Sequence, residues 1–122
     1  MENIYLPETF ERIKTMVIDI SAVKEVVHQN VKKIKSIQCV SERLHVSYET
    51  LRKSFLKKEH IPLANYITIQ KVQGMKRHLL EEDDPCFFVC YEYGYREDSG
   101  AKIFKKLTGM TMMEFRQRNK IK

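Results

Sequence analysis

The second half of this chain repeats the first. Aligned without gaps at an offset of 49, Val40 falls on Val89, Ser41 on Cys90, Leu44 on Tyr93, Val46 on Tyr95 and Lys53 on Lys102. Phe55 then falls on Phe104, Lys57 on Lys106, Ile61 on Met110 and Tyr66 on Phe115. Each copy reads as a short helix, a tight turn, a second helix with Phe near its end, basic residues and a further helix. A small residue in the first helix lets the second cross it closely. An apolar residue after the turn pins the corner. This is the helix-turn-helix plan, written twice. Two unrelated amphipathic helix pairs can also align this way, so the repeat alone leaves both explanations open.

Helical periodicity runs through the rest. Phe10, Ile13, Val17 and Ile20 form one stripe, entered through Pro7; Val23, Val26, Val27, Val31 and Ile34 form a second, with Ser21 as the expected break and N-cap. Ser36 precedes a short helix over 37–44, and Ser47 caps a helix over 48–59 that turns Leu51 and Phe55 inward. Pro62 restarts the chain into a long helix over 63–80, with Tyr66, Ile67, Met75 and Leu79 as expected core. Glu81-Glu82-Asp83-Asp84-Pro85 reads as a solvated connection. Helices over 86–93 and 97–107 follow, then Gly109 as a terminating glycine. Thr111 and Glu114 form a capping box that opens a last helix. No segment alternates like a strand. The expected fold is all-α, with about seven helices.

The balance of 22 Lys+Arg against 16 Asp+Glu gives a net charge of +6, and each half of the chain carries 11 basic and 8 acidic residues. An anionic partner is expected, nucleic acid ahead of a membrane surface. The longest apolar run, around Phe87–Cys90, is far short of the ~20 residues that span a bilayer. The N-terminus has neither a basic nor an apolar region of a secretory signal, and three Cys suit a reducing cytoplasm.

Phe104-Lys105-Lys106-Leu107-Thr108-Gly109-Met110-Thr111, followed by Glu114-Phe115-Arg116, resembles the C-terminal signature of AraC/XylS-type transcription regulators. Ser47, Leu51, Lys53, Phe55 and Tyr66 resemble the first helix-turn-helix of that family. The resemblance covers roughly residues 31–119. It implies two helix-turn-helix subdomains, about 31–62 and 85–119, joined by a linking helix over 63–80, with residues 1–30 as an N-terminal helical extension. It further implies recognition helices in successive major-groove segments about one turn, ~34 Å, apart.

Carried over position by position, the resemblance places Glu49, Arg52 and Lys53 toward bases and Ser47 and Lys57 toward phosphates, with Tyr48 on the same helix. Arg52 suits guanine O6 and N7, and Glu49 suits cytosine N4. An ordinary solvated helix face is the competing explanation for Arg52 and Lys53. In the second copy the implied contacts are Arg96, Ser99 and Lys102.

That copy departs from the family. Nine residues separate Gly94 from Phe104, one fewer than usual, and Gly100 stands where Leu51 stands in the first copy. Losing a buried Leu usually costs ~2–5 kcal/mol unless the space is filled, and glycine within a helix about 1 kcal/mol more. Tyr95, Phe87 or Phe88 are the expected fillers. Glu97 and Asp98 oppose phosphate binding but suit a helix N-terminus, so the first copy is expected to read bases better. His60 replaces a common glycine, and Met75 and Gly74 replace an alanine and an arginine in the linking helix.

Cys86 and Cys90, four apart, can share a helix face as metal ligands, but a structural role is expected for both. No metal, no cofactor and no enzymatic activity are expected. Met110, Met112 and Met113 read as gap-filling core or as a surface for a partner. The expected partner is double-stranded DNA, bound by a monomer or weak dimer in the cytoplasm without membrane contact. The alternative is a module that binds RNA polymerase or another regulator, with a degenerate second head. A formed second recognition helix around Gly100 favours the first.

Overall fold

The computed structural model describes residues 18–119, and over that span the only regular structure is helical. Seven helices follow in order: α1 (Ile20–Gln29), α2 (Ile37–Leu44), α3 (Tyr48–Glu59), α4 (Leu63–Glu81), α5 (Cys86–Glu92), α6 (Glu97–Thr108) and α7 (Met112–Asn119). No described helix is long and apolar enough to cross a membrane.

Two cores form around one spine. In the first, Val23 and Val27 of α1 meet Val40 of α2, Leu51 and Phe55 of α3, and Leu63 and Ile67 of α4. In the second, Val72, Met75 and Leu79 of α4 meet Val89 and Cys90 of α5, Phe104 of α6 and Met112 of α7. The 19 residues of α4 span about 28 Å. Its N-terminal half serves one core and its C-terminal half the other. The repeat in the sequence is therefore a repeat in the packing.

Local chemistry sets the helix ends. Ser47 caps α3 by accepting the Thr50 N–H at 3.1 Å, an interaction worth ~1 kcal/mol. At α7, Thr111 N–H donates to Glu114 Oε1 at 2.8 Å and Glu114 N–H donates to Thr111 Oγ1 at 3.0 Å, the reciprocal capping box expected. These bonds hold the Glu114 carboxyl below the usual carboxylate pKa range.

The structure corrects the start of the fold. Asp19, not Ser21, caps α1: its Oδ1 accepts the Ser21 N–H at 2.9 Å. The second apolar stripe is not one helix, because α1 stops at Gln29 and the chain turns through Asn30. Ile34 still reaches the first core, whereas Val31 packs against the second. Of the first stripe, Phe10, Ile13 and Val17 lie outside the described residues; Ile20 opens α1 and is half-buried. Tyr66, expected as core, is half-buried too, with its hydroxyl 2.9 Å from His28 Nε2.

His60 shows why a glycine is common at its position. It ends α3 with φ 66° and ψ 13°, in the left-handed region, which costs a side-chain-bearing residue ~1–2 kcal/mol. His60→Gly relieves that strain and loses some to unfolded-chain entropy, for an expected net gain of about 0.5–1 kcal/mol. Urea denaturation measures it; an unchanged midpoint would mean that the His60 side chain offsets its own backbone strain.

Candidate nucleic-acid interface

Both helices expected to be recognition helices are formed. Each has twelve residues, α3 after the αL turn at His45 and α6 after the turn at Gly94. Burying Leu51 and Phe55 turns the opposite side of α3 outward. Glu49, Lys53 and Lys57 are exposed there, Arg52 is partly so, and Tyr48 is exposed at the start of the helix. Glu49 is the hub of this face: one carboxylate oxygen lies 2.6 Å from Arg52 Nη2 and 3.8 Å from Lys53 Nζ. The hydrogen bond from Arg52 holds the Glu49 carboxyl below the usual range and raises the guanidinium in turn. Glu49 thus orients Arg52 while leaving other guanidinium N–H groups unused by it. A guanidinium held this way matches the paired acceptors of guanine, and the carboxylate beside it matches the amino donor of cytosine.

On α6 the buried side is Gly100 and Phe104, and the exposed side carries Glu97, Asp98, Ser99 and Lys102. Arg96 stands at the N-cap position without a side-chain cap bond, its Nε 3.8 Å from Asp98 Oδ1. Asp98 Oδ1 accepts the Ser99 N–H at 2.8 Å. All nine sequence-derived contact residues therefore sit on the two heads' surface: Ser47, Tyr48, Glu49, Arg52, Lys53 and Lys57 on or beside α3, and Arg96, Ser99 and Lys102 on or beside α6. They differ in charge organisation. The first head gathers Arg52 and Lys53 around one carboxylate, with Lys57 about two turns further along α3; the second interleaves Arg96 and Lys102 with two acids.

Gly100 does not leave a gap. A Cβ built there would lie 2.5 Å from Cys90 Sγ, 2.9 Å from Cys90 Cβ and 3.2 Å from Tyr95 Cβ. The first copy pairs a small Ser41 with a large Leu51; the second pairs Cys90 with Gly100, and α5 and α6 approach until the space is gone. Of the expected fillers, Tyr95 packs against this core, but Phe87 is 55% exposed and Phe88, 38% exposed, lies edge-on to His78 away from Gly100.

Cys90 is a packing residue. Its Sγ touches Met112 Sδ at 3.8 Å, and burial pushes the thiol up to about 11. Cys86 is half-buried beside the same core. Among the methionines, Met112 is buried, Met110 half-buried and Met113 exposed. Among the described residues no three His, Cys, Asp or Glu side chains come together as a metal-binding group.

Sequence reasoning missed Lys71. It is 5% exposed, and its Nζ donates to the Tyr93 carbonyl at 3.1 Å and lies 5.2 Å from the centre of the Tyr95 ring. Burial lowers its pKa. Lys71 ties the spine to the turn of the second head. It also lines a cleft of about 360 Å³ between the heads, with Lys35, Ser36, Thr68 and Tyr95. The available signal was a lysine four residues after buried Ile67 and four before buried Met75. Gly74 makes the matching accommodation on the other side, since a Cβ there would lie 2.6 Å from Tyr93 Cε2. Tyr93 is larger than Leu44, its counterpart, and the glycine admits the ring.

Comparison with known proteins agrees with this architecture. The C-terminal domain of AraT, a response regulator from Geobacillus stearothermophilus, superposes with a TM-score of 0.78 at 18% identity, covering 84% of this chain and 87% of that one. An AraC-type transcriptional regulator from Chromobacterium violaceum gives 0.74 at 12% identity, covering 90% and 95%. The DNA-binding domain of AdpA, solved with a target DNA, gives 0.73 at 15% identity, covering 80% and 89%. Comparison with curated proteins gives no match. A family model described as a helix-turn-helix domain matches residues 40–118, which takes in both heads and the spine between them, and the chain belongs to the AraC/XylS-type helix-turn-helix family.

Proposed function

We propose that this protein is a transcription regulator that binds double-stranded DNA sequence-specifically and reads two successive major-groove segments. The observation that carries the reading is the pair of twelve-residue recognition helices, each presented by its own helix-turn-helix at one end of a shared spine. Membership of a DNA-binding regulator family supports it, as does the likeness to a domain solved on DNA. The reading unit is residues 31–119, with heads at about 31–62 and 85–119 and the linking helix between. Val23 and Val27 of α1 buttress the first head. Arg52 and Glu49 read bases, Lys53 assists them, and Ser47, Tyr48 and Lys57 hold the backbone. Arg96, Ser99 and Lys102 make the second set of contacts. The protein works in the cytoplasm as a monomer or weak dimer, without a cofactor and without catalysis.

Selection of bound duplexes from a random DNA pool at about physiological salt tests this. Two enriched boxes about 10 base pairs apart are expected. A single box would remove the reading role from α6. Binding without enrichment would overturn sequence-specific regulation in favour of a nonspecific binder, and absence of binding would leave the polymerase- or regulator-binding module.

A further inference from the structure

The charge of the chain is even between its halves but not along its surface. Residues 81–92, from the end of α4 through α5, hold five acids and no base, a local net of −5 in a chain of net +6. Within this stretch lies α5, which buries Val89 and Cys90 and leaves Phe87 55%, Phe88 38% and Tyr91 78% exposed. Three large aromatics on a seven-residue helix are not the random scatter of single apolar side chains usual on a surface. Beside Phe88 an open groove of about 300 Å³ is lined by the carboxylates of Glu81, Glu82, Asp84 and Glu92, against the cations Lys32 and Arg77. Part of the acidity is already answered: Lys32 lies 3.3 Å from Glu92, and His78 Nε2 lies 2.7 Å from Asp84.

We propose that the exposed α5 face of Phe87, Phe88 and Tyr91, with its acidic border, docks a basic amphipathic helix of a partner protein. Charge selects this occupant. DNA and anionic membrane surfaces are repelled by a stretch of net −5. An isologous pairing with a second copy brings like onto like, because a two-fold interface sets the same acidic patch against itself. The chain's own residues 1–17 carry Glu2, Glu8 and Glu11 against Arg12 and Lys14, the wrong sign for the groove. A helix with leucine-like residues on one side and lysines or arginines at its edges covers the aromatics and brings cations to the carboxylates. The surface belongs to the first helix of the second head and leaves the outward faces of α3 and α6 free, so the inference does not depend on which bases those helices read.

The test titrates the full ¹⁵N-labelled chain with a synthetic leucine–lysine amphipathic helix about four turns long, and with the same peptide carrying glutamate for lysine. The lysine peptide is expected to shift the amides of α5 and to bind at least about tenfold tighter than the glutamate peptide. Phe87→Ser combined with Tyr91→Ser is expected to weaken it by at least about tenfold, with melting temperature and DNA affinity unchanged. Equal binding of both peptides, or shifts confined to other helices, overturns the proposal. Concentration-dependent self-association of the parent that the double variant abolishes assigns the face to a second copy instead. A fall in DNA affinity in that variant assigns it to DNA.

Discussion

Gly100→Leu, which gives the second head the residue that the first carries at Leu51, is expected to lower the melting temperature by about 10 °C. By family pattern the substitution looks like a repair. The packing says otherwise. A Cβ at this position already falls 2.5 Å from Cys90 Sγ and 2.9 Å from Cys90 Cβ, and Cys90 is fully buried between Gly100 and Met112. Four added carbons have to force α5 and α6 apart. Overpacking on this scale costs about 3 kcal/mol, and replacing a mid-helix glycine returns only about 1 kcal/mol. The net loss is about 2 kcal/mol. The neighbour identifies the mechanism. Cys90→Ala in the same chain removes the sulfur contact and keeps the Cβ contact, so it should recover part of the loss, and the two substitutions should be non-additive. Thermal denaturation of the two singles and the double completes the cycle. A Gly100→Leu protein as stable as its parent would mean that the two helices do not cross this closely.

That example marks where sequence reading stops. Signals confined to one or two helical turns were legible: the Ser47 cap, the Thr111–Glu114 box, Gly109 in the left-handed region at the end of α6, and the inward spacing of Leu51 and Phe55. The cap of α1 lies two residues earlier than expected: Asp19, not Ser21, takes the role by accepting the Ser21 N–H. Contacts across the fold were not legible. The repeat marks Cys90 as the small residue at the helix crossing, but nothing in the sequence shows that it takes up the space at Gly100. Phe87 and Phe88 look as fit for a core as Val89, until α5 shows which side it buries. Lys71 reads as a surface cation, yet its amine satisfies a carbonyl in the other head's turn. For the candidate site, the sequence located the helix and its outward face. It did not show that Glu49 and Arg52 are joined at 2.6 Å, because an i,i+3 pair forms only when both rotamers turn toward each other.

The joined pair makes the largest expected effect on binding. Arg52→Ala is expected to weaken the preferred site by about tenfold to a hundredfold and to relax preference at one base position. Two consequences of one removal act together. The guanidinium that would reach guanine is gone, and Glu49 loses the hydrogen bond that chiefly holds its carboxyl below the usual range, leaving it only Lys53 at 3.8 Å. Arg52→Lys should recover little, because a point cation cannot make the two-pronged contact. Lys57→Ala provides the contrast. Lys57 is exposed near the end of α3, beyond the base-facing turn, and its expected role is neutralising a phosphate. Its loss should weaken every duplex alike, leave base preference intact and reduce the log–log salt slope by about one. Repeating the pool selection and a salt titration on both variants separates the two roles. Unchanged site preference in Arg52→Ala would reassign Arg52 to the backbone, and the Glu49–Arg52 pair would then be an ordinary surface ion pair of little energetic weight.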